Sequence, residues 1–421
     1  MTPNAARSAS RNPLRIAVVA ACPFPTLQGS QVLIRQHAQA MAARGHAVHI
    51  VAYHLGLRAR QSSATQAPVG DGYRLHRIPA IPFFRRMRSG PSIGKPLLDL
   101  LLALKLFRVA RRERIDVFHA HNVEGVLAAW PAARLLRKPI VFHAHTLMAA
   151  ELPAYFESAI ARNLAARIGR WLDACLPRLA NCTIVLSQEA RAAFAGLGTP
   201  QDRLVHIPPG IEERQFGVRA TAGDVHARYK LGDGPLAIYT GNLDPYQGLD
   251  DLLCAFSRVR RAVPLAQLII ASHATPNGSL DLSGDGVRYL PVRDFDEAAA
   301  LLAAGDVAVC PRPACFGYPI KLLNYMSAGK AIVCAAGSAR GIDHLDNGYV
   351  YPDGDIEALA AGLIRILSDP SLAVRLGRRA AQNIERYRWS ILAESYEALY
   401  CSLLRDAAAS PQKQEFALTG R

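Results

Sequence analysis

The sequence predicts an α/β protein of two domains, each organised on a buried parallel sheet. Three observations carry that expectation. Short apolar, β-branched runs alternate with helical stretches along nearly the whole chain, which is the pattern of strand–helix–strand units. Residues 310–333, CPRPACFGYPIKLLNYMSAGKAIV, state one such unit in full. And 421 residues are enough for two cores.

That stretch carries the chemistry. Residues 307–310 read as a strand, 311–318 as a Gly/Pro loop, and a helix opens behind Pro319, whose missing N–H would have had no partner in a first turn. Ile320, Leu322, Leu323 and Met326 give the helix an apolar side, Gly329 stops it, and 331–335 is the next strand. In parallel sheets ligands bind beyond the carboxyl ends of the strands, so the loop lies where a ligand would. The first N–H groups of the helix point at it as an anion site. Lys321 in the first turn opposes the helix dipole unless an anion binds in front of it, and phosphate is the obvious one.

Taken in order, the chain opens with residues 1–13, expected to be disordered. A strand at 14–21 follows, then a loop over 22–30, a helix over 31–44 stopped at Gly45, and strands at 47–53 and 73–78. Arg7, Arg11 and Arg15 before an apolar run ending at Cys22 imitate a signal segment, but the first strand accounts for the run better. Residues 83–114 carry nine Lys/Arg against Asp99 and Glu113. Their helix, 96–112, is apolar nearly all round. It reads as a helix buried against the first sheet, and its lead-in as a membrane-facing edge where Phe83 and Phe84 insert and Arg85, Arg86 and Arg88 meet lipid phosphates.

Strands at 116–121 and 139–145 each end in His-x-His, and alternation puts both histidines of a pair on one face. Four histidines at two strand ends invite a zinc reading. Apolar surroundings without a nearby carboxylate or cysteine argue against it, and no metal is assigned. A basic amphipathic helix lies within 151–178, a strand at 181–186 and a helix at 187–194. The second domain holds a strand at 236–240, a loop over 241–248 and a helix at 249–262. Strands at 267–271, 287–290 and 349–351 and helices at 296–304, 355–367, 371–386 and 389–405 complete it, with 407–421 as a disordered tail.

Composition limits the partners. Half the residues are apolar and a fifth charged, ordinary for a globular protein. Residues 1–210 hold 27 Lys/Arg against 10 Asp/Glu and 211–421 hold 22 against 24, so the whole excess of positive charge belongs to the first half. That half meets something anionic. No basic motif interleaved with aromatics marks a nucleic-acid module, so the expected partner is an anionic membrane surface or an acidic substrate. Eight cysteines without a C-x-x-C read as reduced thiols. No run of about 20 apolar residues offers a membrane span.

The tail Asn324-Tyr325-Met326-Ser327-Ala328-Gly329-Lys330 resembles the donor segment of glycosyltransferase family 4, the retaining enzymes of GT-B fold. Pro319-Ile320-Lys321 is similar to a subgroup with Pro-x-Lys before the helix. The resemblance covers roughly residues 14–405 and implies two Rossmann-like domains facing each other across a cleft. Residues 14–207 would form the acceptor domain, with helix 389–405 packing back on it, and 208–388 the nucleotide-sugar donor domain. It implies His145 as the group beside the reacting sugar, with Thr146 next to it and His121 lining the acceptor cleft; His119 and His143 remain structural. Gly29 and Ser30 are carried over as donor-proximal, and Asn242, Gln247, Pro319, Lys321 and Asn324 as donor-binding.

The departures are specific. Asn242 and Gln247 stand where the family places arginine and lysine, and Phe316 and Asn324 where it places two glutamates. The expected function is transfer of a sugar from a nucleotide-sugar donor to a lipid-linked or saccharide acceptor, with retention and without a cofactor. The expected place is the cytoplasm, peripheral on the inner face of the cytoplasmic membrane. The alternative is a catalytically degenerate GT-B protein that binds a sugar nucleotide as a scaffold.

Overall fold

A computed structural model describes residues 12–25, 29–55, 72–81, 84, 94–211, 222–276, 280–313 and 317–418. The chain forms two compact units. The first comprises residues up to Val185, Arg191–His206 and the chain from Ala393 onward; the second comprises Leu186–Ala190 and Ile207–Leu392.

The first unit runs β1 (Arg15–Ala20), α1 (Gly29–Ala43), β2 (Ala47–Ala52), β3 (Arg74–Arg77), α2 (Lys95–Arg112), β4 (Val117–His121), α3 (Asn122–Leu136) and β5 (Ile140–Ala144). It continues with α4 (Met148–Glu151), α5 (Ala159–Leu179), β6 (Cys182–Val185), α6 (Gln188–Gly196), whose first residues belong to the second unit, and β7 (Leu204–His206). Its seven strands are parallel in the order β3-β2-β1-β4-β5-β6-β7. Central strands are buried on both faces, as in β1 from Ile16 to Ala20, which is why they read as continuous apolar runs.

The second unit holds α7 (Ala222–Tyr229), β8 (Leu236–Thr240), α8 (Leu249–Ala262), β9 (Gln267–Ser272), β10 (Val287–Pro291), α9 (Phe295–Ala304), β11 (Val307–Cys310), α10 (Lys321–Ser327), β12 (Ala331–Ala335) and β13 (Tyr349–Tyr351). Helices α11 (Ile356–Leu367) and α12 (Pro370–Asn383) follow, and α13 (Trp389–Leu418) starts here and ends in the first unit. The sheet order is β10-β9-β8-β11-β12-β13, again all parallel. Each sheet reverses its strand order once, between β1 and β4 and between β8 and β11. Those are the switch points where open α/β sheets leave a crevice for a ligand.

Several expectations are corrected. Gly29 and Ser30 open α1 instead of sitting in the loop before it. The stretch from 407 on, read as an unstructured tail, is helical to Leu418; its four alanines favour helix, and Pro411 within it is what made it read as a break. Helices α3 and α7 went unread. Helix α2 is not buried all round, since Leu98, Leu102 and Leu106 face the core while Leu97, Leu100 and Leu104 are exposed.

Phe84, expected to face a membrane, is half-buried: its carbonyl accepts the His54 Nε2 hydrogen bond at 2.9 Å. Its ring lies over Gly94, where a Cβ would come within 1.9 Å of it. Phe83, Arg85, Arg86 and Arg88 lie outside the described residues. The described cysteines are free thiols, Cys254 among them exposed. No helix among the described residues is long and apolar enough to cross a membrane.

Candidate functional site

In the second unit the loops leaving β8 and β11 meet at the switch point, and Lys321 lies between them. Its ammonium donates to Tyr239 Oη and to Gln247 Oε1, both at 2.8 Å, and sits 4.0 Å from the Tyr239 ring centroid. Because an ammonium can only donate, this fixes the direction of the rest. Gln247 turns its amide Nε2 to Asn242 Oδ1 at 2.5 Å. Asn242 turns its own NH₂ outward to Asp244 and to Tyr246 Oη, the latter at 2.9 Å. Tyr239 Oη closes the circuit by donating to the Asn242 carbonyl at 2.6 Å.

Gly241 makes this packing possible. Its φ is +150°, and a Cβ there would stand 2.8 Å from the Lys321 nitrogen and 2.9 Å from Tyr239 Oη. Burial pulls the Lys321 ammonium down to about 8, and the charge of Arg312 pushes the same way. The lysine is thus a cation at neutral pH that gains from an anionic partner.

Two details depart from the sequence reading. Gln247 is 5 % exposed and its amide is spent on Asn242, so here it supports Lys321 instead of offering a donor outward. The start of α10 is tighter than expected: the Leu322 N–H bonds the Pro319 carbonyl at 2.9 Å and the Leu323 N–H that of Ile320 at 3.0 Å. The Leu322 and Leu323 N–H groups are therefore already bonded at the start of the helix. Pro319 is buried, and Asn324 lies one turn on from Lys321, half-buried.

Arg312 went unrecognised in the sequence. It lies two residues past the end of β11 and its guanidinium stacks over Tyr246 at 4.9 Å, placing a second cation at the same strand ends. The signal was its position at a strand's carboxyl end; the aromatic partner, 66 positions earlier in sequence, was not legible.

In the first unit the carboxyl ends of β4 and β5 carry a histidine cluster. His121 and His143 are register partners on neighbouring strands. His119 Nε2 meets His143 Nδ1 at 3.0 Å and His121 Nδ1 meets His145 Nε2 at 2.8 Å. The cluster draws in two residues that the sequence reading missed. His37 of α1 and Tyr400 of α13 join it through a Tyr400 hydroxyl 2.8 Å from His37 Nε2 and 2.7 Å from His119 Nδ1. His37 stood on the buried stripe of α1 with Leu33, Ile34 and Met41 and was legible; Tyr400, hundreds of residues away, was not.

His121, expected to line a cleft, is 1 % exposed and backs His145, which is half-buried beside Thr146. Two triads, His37/His119/His121 and His121/His143/His145, each bring three candidate ligand atoms within 4.8 Å of one another, so either could hold a metal ion. Four of the ten ring nitrogens pair with one another and two with Tyr400, while His121 Nε2 and His143 Nε2 are buried without a hydrogen-bond partner among the described residues.

All five imidazoles are held neutral. Burial pulls His37 down to about 3 and His145 to about 4. It carries His119, His121 and His143 well below the ordinary value, their neighbours' charge adding to it. An unfolded histidine titrates near 6.5, so the unfolded chain takes up protons first as pH falls. Stability is therefore fully present above about pH 7 and is lost as pH drops toward the folded values. For His37 alone the expected loss at pH 5 is about 2 kcal/mol. Urea unfolding at pH 7.5, 6 and 5 checks this; a midpoint independent of pH would show that the cluster is solvated.

Two parallel-sheet units of this kind are the architecture of GT-B glycosyltransferases. The fold is similar to that of sucrose-phosphate synthase from Thermosynechococcus elongatus, with a TM-score of 0.78 at 19% identity over 93% of this chain and 100% of that one. It is also similar to Anabaena HepE solved with UDP and glucose, with a TM-score of 0.71 at 17% identity over 92% and 100%. Among curated proteins the chain is 25% identical over 397 residues to phosphatidyl-myo-inositol mannosyltransferase of Mycolicibacterium smegmatis, covering 92% of this chain and 93% of the relative. Residues 27–215 match Glycosyltransferase Family 4 and residues 234–369 match Glycosyl transferases group 1. The chain belongs to glycosyltransferase family 4, and it is a glycosyltransferase.

Proposed function

We propose that the second unit binds the diphosphate of a nucleotide-sugar through Lys321 and Arg312, and that the protein transfers the sugar, with retention, to a lipid-linked or envelope saccharide at the inner membrane face. The observation that carries this is the Lys321 circuit, a half-buried ammonium braced by Tyr239, Gln247 and Asn242 at the sheet's switch point. A diphosphate leaving group needs preorganised cations more than it needs covalent chemistry, and this site supplies two. The relative named for mannosyl transfer to phosphatidyl-myo-inositol supports a lipid acceptor, and the UDP-bound neighbour supports a nucleotide donor. His145, backed by His121, stands as the group beside the reacting sugar, and Asn324 as a partner for a ribose hydroxyl.

A second reading rests on the same circuit. Asn242 and Gln247 are neutral, so the site has fewer cations than the family places there, and a scaffold that binds a sugar nucleotide without turnover would carry such a site. Incubating purified protein with UDP-, GDP- and ADP-sugars and measuring both binding and donor hydrolysis separates the two. Tight binding of one donor with hydrolysis supports the transferase; tight binding with none supports the scaffold; binding of no donor overturns both.

A further inference from the structure

Helices α2, α3 and α5 connect β3 to β4, β4 to β5 and β5 to β6, each step moving the same way across the sheet. Right-handed crossovers therefore put all three on one face, and α3 packs against both α2 and α5. A layer of this kind needs one apolar stripe per helix, turned to the sheet. These helices carry two.

The outer stripe is clearest on α5, where Ile160, Leu164, Ile168 and Trp171 are 84%, 58%, 44% and 63% exposed at spacings that keep them on one side. Leu97, Leu100 and Leu104 repeat the pattern on α2, and Leu127 and Trp130 on α3. Sixteen large apolar side chains are exposed among the described residues, and twelve belong to these helices and the turn before α5. Exposed apolar residues scattered singly need no account, but a concentration of this kind marks an interaction surface.

Charge selects the occupant. Arg162, Arg167 and Arg170 stand exposed beside the α5 stripe. The one carboxylate of α5, Asp173, is buried and accepts the N–H groups of Met148 and Ala149, both at 2.9 Å. On α2, Asp99 is taken by Tyr53; on α3, Glu124 holds Lys95 at 2.7 Å. On the three helices arginines turn outward while carboxylates turn inward or are paired; in the turn before α5, Glu157 is exposed. A second copy of the chain would set arginine against arginine. An anionic bilayer offers hydrocarbon for the leucines, a headgroup layer for the two tryptophans and phosphates for the arginines.

We infer that the outer face of α2, α3 and α5 is a docking surface for anionic phospholipid, with α5 as its principal contact. It rests on the proposed function only for which side of which membrane it meets. It differs from the lead-in of residues 83–95, to which the sequence reading gave that task.

The test is sedimentation of the full-length protein with vesicles of phosphatidylcholine alone or with about one-third phosphatidylglycerol. Wild type is expected to sediment with the anionic vesicles, at least ~10-fold more weakly with the neutral ones, and to be released by high salt. The double change Ile168→Glu with Trp171→Glu is expected to lower partition at least ~10-fold, and Arg162→Gln, Arg167→Gln and Arg170→Gln together to remove the salt-sensitive part. Because all of these side chains are exposed, melting temperature should be nearly unchanged. Wild type that sediments with neither vesicle, or a double variant that sediments like wild type, overturns the inference. So does light scattering that shows a wild-type dimer turned monomer by the double change without vesicle binding. Donor hydrolysis in vesicle-free solution separates the two readings: its absence sinks the transferase and leaves the docking result standing, and its persistence in an unbound double variant is the expected outcome.

Discussion

Replacing Lys321 by Met is expected to weaken nucleoside-diphosphate binding by about 1.5–3 kcal/mol, roughly 10- to 150-fold in Kd. Methionine keeps the apolar stem in place and removes only the ammonium. The loss has two sources. A charge-assisted bond to the diphosphate disappears, and the circuit through Gln247 and Tyr239 loses the donor that sets its direction. The pH dependence isolates the first. Lys321 is held down to about 8 by burial, so its charge is present below that value and lost as pH rises through it. Wild-type affinity should fall above pH 8, while that of the variant should stay flat over the same range. Isothermal titration with UDP and GDP at pH 7 and 9 measures both. Equal affinities in variant and wild type would move the assignment to Arg312, the other cation at these strand ends.

His145→Ala is expected to lower transfer by roughly 10²–10³-fold, the range for removing one preorganised hydrogen-bonding group beside a reacting centre, with a smaller effect on donor affinity. Its ring is half-buried, so the chain should still fold, but His121 Nδ1 loses its 2.8 Å partner in a buried place. His145→Asn, which keeps a polar group near that nitrogen, checks for this: both variants should lose turnover, and Asn should recover stability without recovering rate. Wild-type turnover in either variant would leave His145 as a packing residue of the cluster.

The fold was legible because its strands are buried on both faces and therefore appear as unbroken apolar runs, and because the loop–helix unit around Pro319 carries its own stop signals. Helix α3 escaped notice because it begins at the residue directly after β4 and leaves no loop to announce it. At the candidate site, the place of Lys321 in a first turn was legible. Its bracing was not, because Tyr239 reads as an ordinary strand residue until the sheet brings it under an ammonium that lies 82 positions away. The departures at 242 and 247 were seen as missing charge; the structure adds that both amides are already spent on neighbours. The surface stripe on α2 was mistaken for core, since periodicity counts apolar residues without saying which face has something to cover it.

The last helix gives the chain an order of assembly. Tyr400 and Glu397 belong to the first unit, where the tyrosine bridges His37 and His119 and the glutamate takes Arg44 at 2.5 Å. During synthesis the seven strands of that unit leave the ribosome long before residue 400 exists, so its histidine pocket stays without its hydroxyl until the second unit has been made. A nascent chain arrested before α13 would lack Tyr396 and Tyr400, both fully buried in the finished unit, and would leave the surface they cover exposed, the kind of surface that chaperones bind. Translation of α13 thus completes the oldest part of the polypeptide.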